Sequence, residues 1–429
     1  MRGYRYSGAQ RPVALGQILA AAALSAFIGL ALAPRPAQAA PVEDRYVVIS
    51  NGEQVGHLNA VTDGDVVTID FSVVNNGRGP KNRQRLVLNA ESIPLEWSIE
   101  GTSTFGGPVA ERMSQTGGVL EWTSQSDSGS LQIAQPTLYI AGDDSPWSLG
   151  LYARALLADE DHSLEVAPGG VVRLDKVRDV TLSGEGRQTE GVVYRLTGLN
   201  VGPSYIILEA SGRLLAQLSS GQFTILEPLR GEVPRLQSMS RDFELERIRA
   251  IQSEVAHRFD APLRIRNVRI FDPAAGTVGP LVAVTVFDSR ITTIEPETGQ
   301  PTRPDEYAID GQGGVLTPGL HDMHAHTSLQ NGLFYLAAGV TSVRDMGNNN
   351  AFLPQLIDGI ESGELPGPRI VANGLLEGRS PYSARNGIVA DTLDEALDGV
   401  RWYADRGYFQ LKIYNSLHPE WLAPTVAEA

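Results

Sequence analysis

Two histidines one residue apart, His324 and His326, close the stretch Thr317–His326, which holds three of the seven histidines of the chain. On a β-strand successive side chains point to opposite faces, so positions 324 and 326 share a face, about 7 Å apart along the chain. Two imidazoles on one face can chelate one divalent metal ion; the plainer alternative is a chance pair on a surface strand. Alternation turns His321 away from His324, into a structural position. It turns Asp322 to the same side as the pair, where it would orient a ligand histidine from behind.

The elements that must hold this pair read as strands and helices in turn. The Gly-Val-Leu run at 314–316 leads into the histidines like a buried strand, and Leu333–Ala338 makes a short helix before a second strand at Val340–Met346. Phe352–Ser362 carries Leu353, Leu356, Ile357 and Ile360 at helical spacing, and Gly367–Asn373 is a third strand. Thr392 and Glu395 have the spacing of a capping box, so a helix starts there, and Gly407 is its natural stop. The fourth strand, Phe409–Tyr414, places Gln410, Lys412 and Tyr414 on one face. Such an alternation predicts a parallel sheet with crossover helices.

The order Thr317-Pro-Gly-Leu-His-Asp-Met-His-Ala-His326, then Gly339-Val-Thr-Ser-Val-Arg-Asp-Met-Gly347, resembles the opening of the amidohydrolase superfamily, particularly its imidazolonepropionase-like and Xaa-Pro-dipeptidase-like branches. His321 departs from the pattern, which has an apolar or aromatic residue there. The resemblance implies a (β/α)8 TIM-type barrel whose first strand ends in the histidine pair. It implies that His324 and His326 bind the more buried of one or two divalent ions, with Zn2+ expected. It also implies that Lys412 reacts with CO2 to give a carbamate that bridges the metals, and that Tyr414 stands over the substrate. Carbamate formation needs a neutral amine, so the site must lower the lysine pKa; a solvated lysine at a strand end is the alternative. A full barrel takes about 250 residues, whereas Thr317 to the last residue is 113. The chain is therefore expected to supply barrel strands one to four, to lack the family's later histidines and its proton-shuttling aspartate, and to be an incomplete portion that is inactive alone.

Upstream, residues 41–236 show many short alternating runs punctuated by Gly, Asn, Asp and Pro, such as Asp65–Val73 followed by the turn Asn75–Pro80. Strands at short spacing without helices between them predict an antiparallel sandwich or barrel. Trp97, Trp122, Trp147 and Tyr152 are expected in its core rather than along a ligand groove. Residues 238–259 read as an amphipathic linker helix with Leu245, Ile248, Ile251 and Val255 on one side. Residues 262–316 hold three short strands, which the resemblance identifies as the small β-domain preceding the barrel, with the barrel portion at 317–429.

The first 39 residues combine Arg2, Arg5 and Arg11, an apolar run from Ile18 to Ala33, and Ala37-Gln38-Ala39, the layout of a secretory signal peptide cut after Ala39. The apolar run is shorter than a spanning helix needs, so no stable membrane span is expected after cleavage. The 429 residues contain no cysteine and carry a net charge of −15; removing Arg2, Arg5, Arg11 and Arg35 with no acid makes this −19. Nucleic acid is a poor partner for such a surface. The composite expectation is a periplasmic or secreted hydrolase that cleaves carbon–nitrogen bonds in small amide, cyclic amide or peptide substrates through a metal-activated hydroxide, with an oligomer or a complementing barrel half as partner. The rival expectation is an extracytoplasmic binding protein with a vestigial half barrel.

Overall fold

The computed structural model describes residues 40–219 and 221–429; the signal-peptide reading of 1–39 falls outside them. Fourteen strands between Val42 and Leu226 form one continuous antiparallel sheet. Its seam is the strand Val42–Ser50, which pairs with Glu53–Asp63 on one edge and with the last strand, Gln222–Leu226, on the other. The run Tyr46-Val-Val-Ile49 is buried on both faces, as a strand between two meanders requires. Leu58 and Trp97 from one meander, Ile206 and Phe223 from the other, and Leu151 from the segment between them join one hydrophobic core. Trp97, Trp147 and Tyr152 are buried in it, and Trp122 packs partly buried against it.

Two elements here differ from the sequence reading. A helix at Trp147–Leu157 interrupts what was expected to be strands alone. Eight of its eleven residues are buried, so it lacks the polar face that makes a helix visible as an amphipathic stripe. The other is the hairpin Val171–Gly184 and Arg187–Thr197, whose strands of 14 and 11 residues are longer than the short runs expected. Its exposed positions are rich in charge, and its turn places Glu185 and Gly186 at φ 49° and 75°, the left-handed conformation that a two-residue hairpin turn demands.

The linking helix is Val233–Val255, beginning earlier than the expected 238 because Pro234 starts it in the first turn. Leu236, Met239 and Phe243 pack toward the antiparallel sheet, Phe243 stacking on Tyr205 at 4.9 Å, while of the expected stripe Ile248 joins Leu329, Leu356 and Leu365, with Leu245 packed against them. Val255 is exposed. The small sheet that follows centres on Leu263–Asp272, antiparallel to Val282–Phe287 and parallel to Tyr307–Asp310. Val315–Leu316 also belongs to this sheet, parallel to Arg269–Ile270, and Val315 is exposed. The expectation that this run leads as a buried strand into the histidines is thus corrected; Pro318 and Gly319 interrupt the ladder, because proline has no N–H to donate.

The last part is a parallel sheet in sequential order. Leu320–Ala325, Val340–Asp345 and Arg369–Gly378 pair in turn, and Gln410–Ile413 flanks the third strand. Helices Asn331–Ala337, Phe352–Glu361 and Leu393–Asp405 make the crossovers. Leu376 lies between Ile413 on one edge and Ile388 of a short added strand, Ile388–Ala390, on the other. The Thr392 hydroxyl caps its helix by accepting from the Glu395 N–H at 3.3 Å, and Gly407 adopts φ 71° just beyond its end. Among the described residues, no helix is long and apolar enough to cross a membrane.

Within the antiparallel core, Asp144 accepts hydrogen bonds from the Ser148 and Tyr152 hydroxyls, yet burial pushes its pKa up to about 6. A raised carboxyl pKa means that the folded state holds the proton more tightly than the unfolded one. This contribution to stability is therefore present at acid pH and fades as pH rises from about 4 to about 6. The Asp144→Asn variant, which has no such proton to lose, is expected to show a flatter melting temperature across that window. Parallel curves for the two proteins would disprove the assignment.

Candidate active site

The first parallel strand is short and irregular, with a register break between Asp322 and Ala325 where it pairs with the second. His324 and His326 nevertheless project to the same side, their ring centroids 5.6 Å apart. Lys412, on the fourth strand, reaches the same place: its Nζ is 3.5 Å from His324 Nε2 and 4.9 Å from the centre of the Tyr414 ring. Three of the four residues singled out from sequence thus converge, with the fourth packed against the lysine. Both imidazoles are exposed, and Lys412 and Tyr414 are half-buried.

His326 is oriented by its backside. Its Nδ1 lies 2.7 Å from the Gly347 carbonyl, and since a carbonyl oxygen only accepts, Nδ1 carries the proton and Nε2 keeps its lone pair for a metal. The Gly347 carbonyl is held in turn by Asp345, wholly buried at the end of the second strand. Asp345 accepts from the Gly347 N–H at 3.0 Å, the Thr327 N–H at 2.8 Å, the Thr327 hydroxyl at 2.5 Å and the Asn348 amide at 2.9 Å. One carboxylate therefore ties the segment after the first strand to the segment after the second.

Glu377, wholly buried on the third strand, does the same one strand on, accepting from the Ser416 N–H at 2.7 Å, the Gly378 N–H at 3.1 Å and the Ala384 N–H at 3.3 Å. Ser416 follows Tyr414 by two residues, so this bond fixes the chain leaving the lysine strand. Arg344 crosses the other way, donating to the Met323 carbonyl at 2.9 Å and to the Gln410 side chain at 3.2 Å. Sequence reading assigned none of these three a role; the available signal for the two acids was a carboxylate at the end of a strand with a glycine one or two residues on, Gly347 after Asp345 and Gly378 after Glu377.

Asp322 behaves differently from its expected role. Its carboxylate accepts the His324 backbone N–H at 2.9 Å and meets Tyr335 of the first crossover helix, so it braces the main chain of His324 rather than its ring. The register break removes the strict alternation on which the inward placement depended. His321 is exposed. Among the described residues no three His, Asp or Glu side chains form a metal-binding cluster; the donors that meet here are two imidazoles and one amine.

Replacing Asp345 with Ala removes the acceptor for four donors and is expected to cost about 3 kcal/mol or more of stability, because buried donors left unpaired bear their full desolvation penalty. Urea unfolding measures this, and an unchanged midpoint would show that the carboxylate does not hold the two segments together.

No protein-family model and no curated protein matches the chain. Over part of its length it is similar to several solved structures. One is a putative prolidase from Bifidobacterium longum, 26% identical over 38% of this chain and 42% of that one, with a TM-score of 0.34. Another is a bottromycin amidohydrolase, 22% identical over 43% of this chain and 38% of that one, TM-score 0.34. A third is a Xaa-Pro dipeptidase with bound methionine in its active site, 19% identical over 39% of this chain and 54% of that one, TM-score 0.33. The chain spans about half the length of these proteins or less. Over the part of its length that is matched, this chain is similar to structures described as a prolidase, an amidohydrolase and a dipeptidase.

Proposed function

We propose that the chain is part of a metal-dependent hydrolase that cleaves carbon–nitrogen bonds in small amide, cyclic amide or peptide substrates. The observation that carries this reading is the meeting of His324, His326 and Lys412 at one place on a sequential parallel sheet, with His326 Nε2 left free by the bond from Nδ1 to Gly347. The donor set fits a divalent ion such as Zn2+, which imidazole nitrogens and carboxylate-type oxygens bind well. When bound, the metal would polarise the scissile carbonyl and lower the pKa of a water molecule.

The residues of this chain then have distinct tasks. His324 and His326 hold the ion, the first braced through its backbone by Asp322 and the second through its ring by Gly347. As a neutral amine, Lys412 would add through its nitrogen to the carbon of CO2 and release a proton, giving a carbamate with two metal-binding oxygens. The Tyr414 ring restricts where that group can lie, and its hydroxyl would donate to the substrate carbonyl or carboxylate. The remaining ligands and the acid/base carboxylate would come from strands that continue the sheet beyond Gln410–Ile413, whose outer edge pairs with no strand among the described residues. Those strands would close a (β/α)8 barrel, supplied by a longer chain or by a second one. The arginines and the apolar run before Ala39 support export to the periplasm or the medium, with the mature protein starting near Ala40.

His324→Ala and His326→Ala are each expected to weaken Zn2+ binding, measured by equilibrium dialysis, by roughly 100-fold, or about 2.8 kcal/mol, whereas His321→Ala leaves it unchanged. Equal losses at all three positions would overturn the ligand assignment. With 13C-labelled bicarbonate, the wild-type protein should show a carbamate carbon resonance that is missing from Lys412→Arg; its persistence in that variant would remove Lys412 from the site.

A further inference from the structure

Far from the histidines in sequence, the antiparallel region contains a cleft of about 600 Å³ between the start of the strand Val42–Ser50, the helix Trp147–Leu157 and the turn at Ser211–Arg213. Val42, Val67, Leu88, Trp147 and Leu214 give it apolar walls, and Arg154 lines it as well. The Arg154 guanidinium donates from Nη1 to the Gly212 carbonyl at 3.1 Å and lies 5.0 Å from the centre of a Trp147 ring. Neither partner neutralises it, and among the described residues no carboxylate stands within ion-pair distance. The carboxylate whose charge acts on it, Asp44, is paired with Arg213 at 2.6 Å. Burial pulls the Arg154 pKa below its usual value, which is the cost of enclosing a cation without a counter-ion. A guanidinium has five donors in a fixed fork, and here one donor is used.

We infer that this cleft binds a small organic monocarboxylate, its carboxylate in the fork of Arg154 and its apolar body against Trp147, Val67 and Leu88. The planar fork matches a carboxylate with two parallel hydrogen bonds. A phosphate dianion suits the cleft less well, since Asp44 and Asp65 also line it and would repel a second negative charge. The apolar walls favour a branched aliphatic chain over a bare ion. The turn at Gly212 closes tightly over Arg154, for a Cβ added there would stand 2.9 Å from the arginine Cγ, and its φ of 81° suits glycine. The fork is thereby set before any ligand arrives, which limits the entropy lost on binding.

The test uses the full chain and 4-methylpentanoate as probe, with 4-methylpentanamide and inorganic phosphate as controls, followed by titration calorimetry and by ligand-observed NMR. Saturable binding of the carboxylate is expected, about tenfold or more tighter than either control. Arg154→Gln, which keeps a donor for Gly212, should weaken it by about tenfold or more, equivalent to about 1.4 kcal/mol. Ala90→Trp, on an exposed position at the rim, should block it without touching the fork, and decides the matter if the arginine variant fails to fold. The inference is overturned by any of three results: no saturable binding to the wild-type protein, equal affinity for the amide or the phosphate, or undiminished binding in the folded variants. None of these results bears on the histidine site, so failure here leaves the proposed hydrolase reading where it was.

Discussion

A parallel sheet creates a problem at the carboxyl ends of its strands, where the chain leaves the ladder and its N–H groups lose their partners while still enclosed by neighbouring loops. Buried donors must be satisfied, and here two buried carboxylates satisfy them. Asp345 gathers N–H groups from Thr327 and Gly347, and Glu377 gathers them from Gly378, Ala384 and Ser416. Among the described residues neither acid pairs with an arginine or lysine. Their charge is balanced by the backbone and side-chain dipoles that converge on it, an arrangement that holds only while the donors stay in place. The site inherits this rigidity at two points: the Gly347 carbonyl that sets the His326 tautomer hangs on Asp345, and the chain after Lys412 and Tyr414 hangs on Glu377.

Legibility in the sequence followed how far each feature depends on local pattern. The crossover helix at Leu393–Asp405 announced itself through its cap and its terminal glycine, and the second to fourth parallel strands through short runs that alternate with helical stretches. Alternation put His324 and His326 on one face, but the meeting of Lys412 with them, 88 positions on, was expected only from the family resemblance. What stayed hidden depended on tertiary context. The helix at Trp147–Leu157 shows no amphipathic stripe because nearly every side is buried. The role of Asp322 turned on a register break that no spacing rule anticipates. Asp345 and Glu377 look, in sequence, like acids that could equally face solvent, and only the closing of distant loops around them reveals their part.

The antiparallel region is not an appendage to the parallel sheet, because its turns rest on the segments that follow the first and third parallel strands. A Cβ placed on Gly202 would fall 2.0 Å from the Gln330 amide, and one on Gly77 would fall 2.2 Å from the Tyr382 ring. Gly77 also has φ 69°, so glycine is required there twice over, by conformation and by space. Around that contact Asn51 donates to Asn386 at 3.1 Å, and Arg385 pairs with Glu53 at 2.5 Å. The ion pair is partly exposed and contributes little; the weight lies in close packing, which a side chain at either glycine would force apart. Tyr382 and Arg385 stand in the loop that Glu377 ties to its strand through Ala384. The same carboxylate holds the exit of the lysine strand. An unbroken chain of contacts thus runs from the Asn75–Pro80 turn through the Tyr382 ring, its loop and the buried Glu377 to the chain leaving the Lys412 strand. The antiparallel region is in this way built into the geometry of the candidate site while contributing none of its ligands.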